Sequence, residues 1–167
     1  EPEYALSIKE KMVTEYASYS EDISFPMKPQ KILSDVRKVM GSDDIVVSDV
    51  GAHKMWIARH YDCYKPNTCI ISNGFATMGI GVPGAIAAKL INPDKKVLTI
   101  TGDGGFMMNS QEIETAVRIG TPFVTLIFLA SPCLENRLLL LTVQTLLWKQ
   151  LQFWLAFGYC QMPRLFE

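Results

Sequence analysis

Between residues 29 and 128 the apolar positions of this chain alternate between a helical and a strand period. After Pro29, a residue suited to a first helical turn, Ile32, Val36, Val39 and Met40 recur at helical spacing. Gly41 supplies a stop, and the pattern predicts a helix. The β-branched run Ile45-Val46-Val47 predicts a buried strand ending at Ser48-Asp49-Val50-Gly51, with a helix near 53–60 behind it. The unit repeats as a second buried strand over 69–72, a helix of small apolar residues over 78–91 and a third strand over 97–101. Asn109, with Glu112 three residues on, reads as a capping box. It opens a helix whose inward face is Ile113, Ala116 and Val117 and whose stop is Gly120, and residues 123–128 form a fourth strand.

Strands apolar on both faces that alternate with helices predict the α/β class, a doubly wound parallel sheet with helices on both faces. Ligands of such sheets gather at the carboxyl ends of the strands. This directs attention to Asp49-Val50-Gly51-Ala52-His53, to Asn73-Gly74, to Gly102-Asp103-Gly104-Gly105 and to whatever follows Phe128.

The flanks read differently. Residues 1–25 are polar and acidic, weakly helical around 8–16, and read as a linker closed by Pro26 and Pro29. Beyond Phe128, four consecutive leucines (138–141) and the clusters Leu146-Leu147-Trp148 and Phe153-Trp154-Leu155 show no clear strand period and no further β/α unit. The sheet is therefore expected to be incomplete at its C-terminal end. Gln144, Lys149, Gln150 and Gln152 interrupt that stretch, whereas a membrane span needs roughly 20 apolar residues, so no membrane partner is expected.

At 167 residues the chain suffices for one domain with a real core. Its 16 basic and 17 acidic residues leave a net charge of -1, which gives no electrostatic reason to expect a nucleic-acid partner. Cys63, Cys69, Cys133 and Cys160 form no C-x-x-C pair and accompany only His53 and His60, so neither a zinc site nor a disulfide framework is indicated. The first 20 residues lack the apolar segment of a secretory signal, and a cytoplasmic location is expected.

Three motifs carry candidate chemistry. Gly102-Asp103-Gly104-Gly105 follows a buried strand: glycines admit a diphosphate close to the backbone, and a carboxylate there can hold a divalent cation bridging phosphates. The same four residues also suit a tight turn with a solvated aspartate. Gly79-Ile80-Gly81-Val82-Pro83-Gly84 matches the dinucleotide fingerprint G-x-G-x-x-G, with Asp103 downstream. Residues 73–78 separate it from the strand end, however, which favours small residues packing a helix close to the sheet. His53 suits either a phosphate donor or a solvated helix start, and Met78 taken alone suits core filling.

Taken in order, Asp49-Val50-Gly51-Ala52-His53-Lys54-Met55-Trp56, Ser72-Asn73-Gly74-Phe75-Ala76-Thr77-Met78-Gly79 and Gly102-Asp103-Gly104-Gly105-Phe106 resemble the pyrophosphate domain of the acetolactate synthase family, thiamine diphosphate-dependent enzymes. The resemblance runs from about residue 25, including Phe25-Pro26-Met27-Lys28-Pro29-Gln30, to residue 128. It divides the chain into a linker (1–25), a pyrophosphate-binding domain (26–128) and a divergent leucine-rich tail (129–167).

The resemblance implies two cofactors, thiamine diphosphate and Mg2+, with Asp103 as the metal ligand. Gly102, Gly104 and Gly105 would approach the diphosphate, and Gly51, Ala52 and His53 would contact it from the neighbouring loop. Ala76 would present its carbonyl to the aminopyrimidine, and Met78 would lie beneath the cofactor and hold it bent. The implied reaction joins two pyruvates into 2-acetolactate with loss of carbon dioxide, a transferase activity of homodimers. Pyruvate oxidase and decarboxylase relatives are the neighbouring readings, and the catabolic or biosynthetic type is open. A non-catalytic module of the same fold, or a nucleotide-binding oxidoreductase using the Gly79 motif, are readings of other classes.

The chain also departs from the family pattern. Where the resemblance implies a second side-chain ligand to magnesium, Ala130 stands within Leu129-Ala130-Ser131-Pro132-Cys133. So abrupt a loss of resemblance suggests a reading-frame shift, an altered splice or a sequence error. The glutamate that relays protons to the aminopyrimidine comes, in the family, from another domain, usually a partner subunit's. No catalytic residue is therefore expected in this chain, which is read as a fragment inactive by itself.

Overall fold

The structure, a computed structural model, describes residues 2–22, 24, 27–129, 138–143 and 156–157. In chain order the elements are α1 (Pro2–Ser20), α2 (Pro29–Val39), β1 (Ile45–Ser48), α3 (Ala52–His60), β2 (Cys69–Ile71) and α4 (Gly81–Ile91). Then follow β3 (Val97–Gly102), α5 (Asp103–Met108), α6 (Glu112–Ile119), β4 (Phe123–Phe128), β5 (Leu138–Val143) and β6 (Ala156–Phe157).

Among the described residues six strands lie in the order β2-β1-β3-β4-β5-β6, and the first four are parallel. Because β2 and β3 flank β1 on opposite sides, the order reverses between β1 and β3, and a crevice opens at their carboxyl ends. Side chains alternate across the strands and build two cores. On one face Val46, Leu98, Ile100, Val124 and Leu126 meet Ile32, Leu33 and Val36 of α2 and Ile57 of α3. On the other, Ile45, Val47, Val97 and Phe123 meet Val82, Ala85 and Ile86 of α4 and Ala116 of α6. Helices thus cover both faces, as the strand composition predicts.

α2 shows how local signals set an element. Lys28 is extended at its N-cap, Pro29 opens the first turn, and Arg37 and Lys38 occupy the last turn, where cations suit the helix dipole. Full burial of a residue such as Leu33 stabilises the fold by about 1.5–3 kcal/mol.

Several expectations are corrected. Among the described residues β2 is an edge strand rather than a buried one, and Ile70 is exposed, since β1 alone pairs with it there. α4 begins at Gly81, three residues later than the apolar pattern suggests, because Gly79 takes a positive φ of 91° that ends the preceding loop. The Asn109 capping box does not form: no side chain caps α6, and Asn109 donates instead to the Gly79 carbonyl at 2.7 Å. Val117 is exposed, and Ala116 carries the inward face of α6 with Ile113 half-buried. Leu138 to Val143, without visible strand period, is a strand antiparallel to β4, and β6 is antiparallel to β5.

The helical stretch expected within residues 1–25 extends over all of α1, which has no buried residue. Tyr16 stacks on His60 at 5.7 Å, and Glu15 pairs with Arg59 at 2.6 Å. Phe25, Pro26, the Leu146 and Phe153 clusters and Ala130 with its neighbours to Cys133 lie outside the described residues. Among the described residues no helix is long and apolar enough to cross a membrane.

Candidate functional site

The crevice at the carboxyl ends of β1 and β3 holds a cavity of about 240 Å³. Val50, Gly51, Ala52 and His53 line it from the β1–α3 turn, and Gly102, Asp103, Gly104 and Gly105 from the β3–α5 turn. Phe128 and Leu129 close it beyond β4, Met78 stands on the loop before α4, and Met27, Pro29, Ile32 and Trp56 form an apolar end. One half therefore presents glycine backbone and a carboxylate, and the other presents hydrocarbon and an indole.

His53 is buried, and its Nε2 has no hydrogen-bond partner among the described residues. Its ring bonds to the Asp49 backbone and lies nearly parallel to Phe128, with centroids 6.3 Å apart. Burial pushes its pKa below the usual 6.5, because the imidazolium is poorly solvated there, while the hydrogen bond and the Asp49 carboxylate push the other way. With its other ring nitrogen donating to the Asp49 backbone, the neutral ring keeps a lone pair on Nε2, and a proton taken up there would face a ligand acceptor.

The turn after β3 is tightly fitted. A Cβ at Gly105 would stand 2.9 Å from Thr101 Oγ1 and 3.0 Å from Asp49 Oδ2, so only glycine fits without a shift. Asp103 is exposed at the cavity, and its Oδ1 accepts the Gly104 amide at 2.8 Å. Of the sequence-predicted site residues, Gly51, Ala52, His53, Met78, Gly102, Asp103, Gly104 and Gly105 come together on this cavity. Ala76 does not line it; it holds a φ of +46° on the adjoining loop, a backbone conformation that non-glycine residues rarely adopt.

Sequence reasoning missed the role of Asp49. Its side chain is 1% exposed. Oδ1 accepts the Val50 amide at 2.7 Å and the Gly79 amide at 2.9 Å, and Oδ2 accepts the Gly81 amide at 3.0 Å and the Thr101 hydroxyl at 3.1 Å. The one available signal was an aspartate closing an apolar strand, which also suits a solvated turn. The Gly79 and Gly81 amides of the dinucleotide fingerprint are thus used inside the fold, and Gly84 lets α4 approach Val47 of β1 closely.

The lining fits a diphosphate: glycine backbone that an anion can approach, and an imidazole nitrogen that has no partner among the described residues and can take up a proton beside an anion. For a divalent cation, Asp103 is the carboxylate among the described lining residues. No group of three or more His, Cys, Asp or Glu side chains is gathered among the described residues, so phosphate oxygens and water would have to complete an octahedral shell around Asp103.

Residues 49–131 match the family described as thiamine pyrophosphate enzyme, C-terminal TPP binding domain, TPP being thiamine pyrophosphate. The chain is 44% identical over 108 residues to a probable acetolactate synthase large subunit of Methanococcus aeolicus, covering 62% of this chain and 18% of that protein. It is 39% identical over 100 residues to an acetolactate synthase of Bacillus subtilis, covering 60% and 18%. With the mitochondrial acetolactate synthase catalytic subunit of Saccharomyces cerevisiae the identity is 40% over 115 residues, covering 67% and 17%. The matched stretch spans about a fifth of the length of these curated relatives.

Proposed function

We propose that this chain, whose residues 49–131 form an acetolactate synthase-like C-terminal domain of the thiamine pyrophosphate enzyme family, serves the condensation of two pyruvates to 2-acetolactate with loss of carbon dioxide. The observation that carries this reading is the cavity itself. A glycine turn with Asp103 and the unpaired Nε2 of His53 meet at the strand ends, inside the segment that matches the family.

When bound, thiamine diphosphate supplies an electron sink for cleaving and forming carbon-carbon bonds next to a carbonyl. The chain's part is to bind and orient. Gly102, Gly104 and Gly105 would face the diphosphate, Asp103 would hold Mg2+ against it, and His53, on taking up a second proton beside the anion, would donate from Nε2 to a phosphate oxygen, with Gly51 and Ala52 beside it. Met78 would lie beneath the cofactor beside the glycine turn, Trp56 and Phe128 would exclude water from the apolar end, and the Ala76 carbonyl, on the loop adjoining the cavity, would meet the aminopyrimidine. A homodimeric, cytoplasmic acetolactate synthase is the setting that fits these roles.

Asp103 is the sole carboxylate among the described lining residues, and it stands on the glycine-rich wall, so no second acid is at hand to relay protons at the apolar end. That favours a chain that binds the cofactor but needs a partner domain for turnover. Supplied with pyruvate, Mg2+ and thiamine diphosphate, the chain by itself should form no acetolactate above a cofactor-only control. Calorimetry should show Mg2+-dependent binding of thiamine diphosphate that Asp103→Ala abolishes. Absence of binding in the parent chain would leave only a non-catalytic module, and binding of a nicotinamide dinucleotide instead would favour the oxidoreductase reading.

A further inference from the structure

The dinucleotide-like glycine motif is explained by a buried carboxylate that the binding chemistry does not use. Asp49 is reached by two backbone amides from a loop some thirty residues away, and by none of the cavity's open surface. Asn109 holds the other side of the same loop through the Gly79 carbonyl. Gly79 has a φ of +91°, and a Cβ there would stand 2.7 Å from Asn109 Nδ2. A Cβ at Gly81 would stand 3.0 Å from Asp49 Oδ2, the same distance as one at Gly105. One carboxylate oxygen thus meets the start of α4 and the turn after β3 together.

Met78 immediately precedes the clamped Gly79, and its Cε lies 3.4 Å from where a Gly104 Cβ would be. We propose that Asp49 is a positioning residue: by holding the Gly79 and Gly81 amides it fixes where Met78 stands over the glycine turn, and so sets the shape of the cofactor cavity. The consequence for the cofactor rests on the proposed function, while the clamp itself does not.

Asp49→Asn tests this with almost no change in shape. Whichever way the amide is turned, its NH2 faces either Gly81 or Val50 and Gly79 together, so at least one of the two clamped glycine amides loses its acceptor. In the full 167-residue chain without any ligand, hydrogen exchange at Gly79 or Gly81 should quicken roughly tenfold or more, while amides of β3 and β4 keep their protection. Unchanged exchange at both glycines, or an equal rise throughout the sheet, would overturn the clamp. Should Asp49→Asn fail to fold, Thr101→Val removes one donor without stranding an amide. It should quicken exchange at Gly81 about two- to tenfold and nowhere in β4, and no change at Gly81 would count against the proposal.

The second arm reads thiamine diphosphate affinity through Trp56 fluorescence. Asp49→Asn should weaken it roughly tenfold in the native background and by much less beside Met78→Ala, because both changes then act through one side chain. Equal losses in the two backgrounds would show that Asp49 acts through the fold at large. A parent chain that binds no cofactor would sink the functional reading, while the exchange arm still decides the clamp.

Discussion

The His53 imidazole lies within 10° of parallel to the Phe128 ring, and 3.7 Å from where a Cβ at Gly102 would stand. The contact ties the end of β4 to the first turn of α3, and Nε2 has no partner among the described residues. Removing that nitrogen while keeping a flat ring, in His53→Phe, should weaken pyrophosphate or thiamine diphosphate binding by roughly ten- to a hundredfold, the range for hydrogen bonds to charged groups. Isothermal calorimetry reads this, and unchanged affinity would mean that Nε2 does not meet the ligand.

Burial lowers the pKa of both His53 and His60 from 6.5, with Arg59 adding to the effect at His60. The unfolded chain therefore takes up these protons first as pH falls. The stability contributed by the neutral rings is complete above about 6.5 and is lost below it, down through the depressed folded values. Urea melts should show unfolding free energy dropping between roughly pH 7 and pH 5, with a shallower drop in His53→Phe. A pH-independent midpoint across that window would contradict the burial of these rings.

Gly105→Ala should destabilise the fold by about 1–3 kcal/mol, the usual cost of overpacking, because the new methyl meets the Thr101 hydroxyl and the Asp49 carboxylate. Gly120→Ala provides a contrasting control: its Cβ meets nothing within 4 Å, and the strain comes only from a φ of +70°. Thermal melts of the two variants separate crowding from backbone strain, and a Gly105→Ala chain as stable as the parent would show that the turn has room.

Ala76 holds its φ of +46° at a cost of about 1–2 kcal/mol, the penalty for an L-residue in the left-handed region. Glycine removes that strain but adds about 0.4–1 kcal/mol of unfolded-state entropy, so Ala76→Gly should raise stability slightly or leave it unchanged. A clear fall in melting temperature would mean that the Ala76 methyl makes a packing contribution larger than the strain.

The legible part of the fold was the part set by local periodicity. α2, α3 and β4 follow directly from apolar spacing, proline and β-branched runs, and their limits shift by at most a residue. β2 was misjudged because Cys69, Ile70 and Ile71 read as buried in any apolar pattern, whereas burial depends on whether a neighbour covers the strand. Asn109 and Glu112 have the spacing of a capping box, but the asparagine amide finds a stronger claim in the Gly79 carbonyl thirty residues earlier. The Leu138 strand was missed since its pairing with β4, not its own pattern, makes it a strand.

The α/β alternation, the glycine turn with Asp103 and the three motifs that point to a thiamine diphosphate-type domain are legible from residue order, because each is written in residues adjacent along the chain. The folded chain adds that Asp49 accepts the Gly79 and Gly81 amides, that His53 Nε2 has no partner among the described residues beside Phe128, and that Ala76 stands on the loop adjoining the cavity rather than on its wall. These depend on hydrogen bonds and contacts between segments some thirty to seventy-five residues apart. The reversal of strand order between β1 and β3 brings those segments together, and no local spacing encodes it.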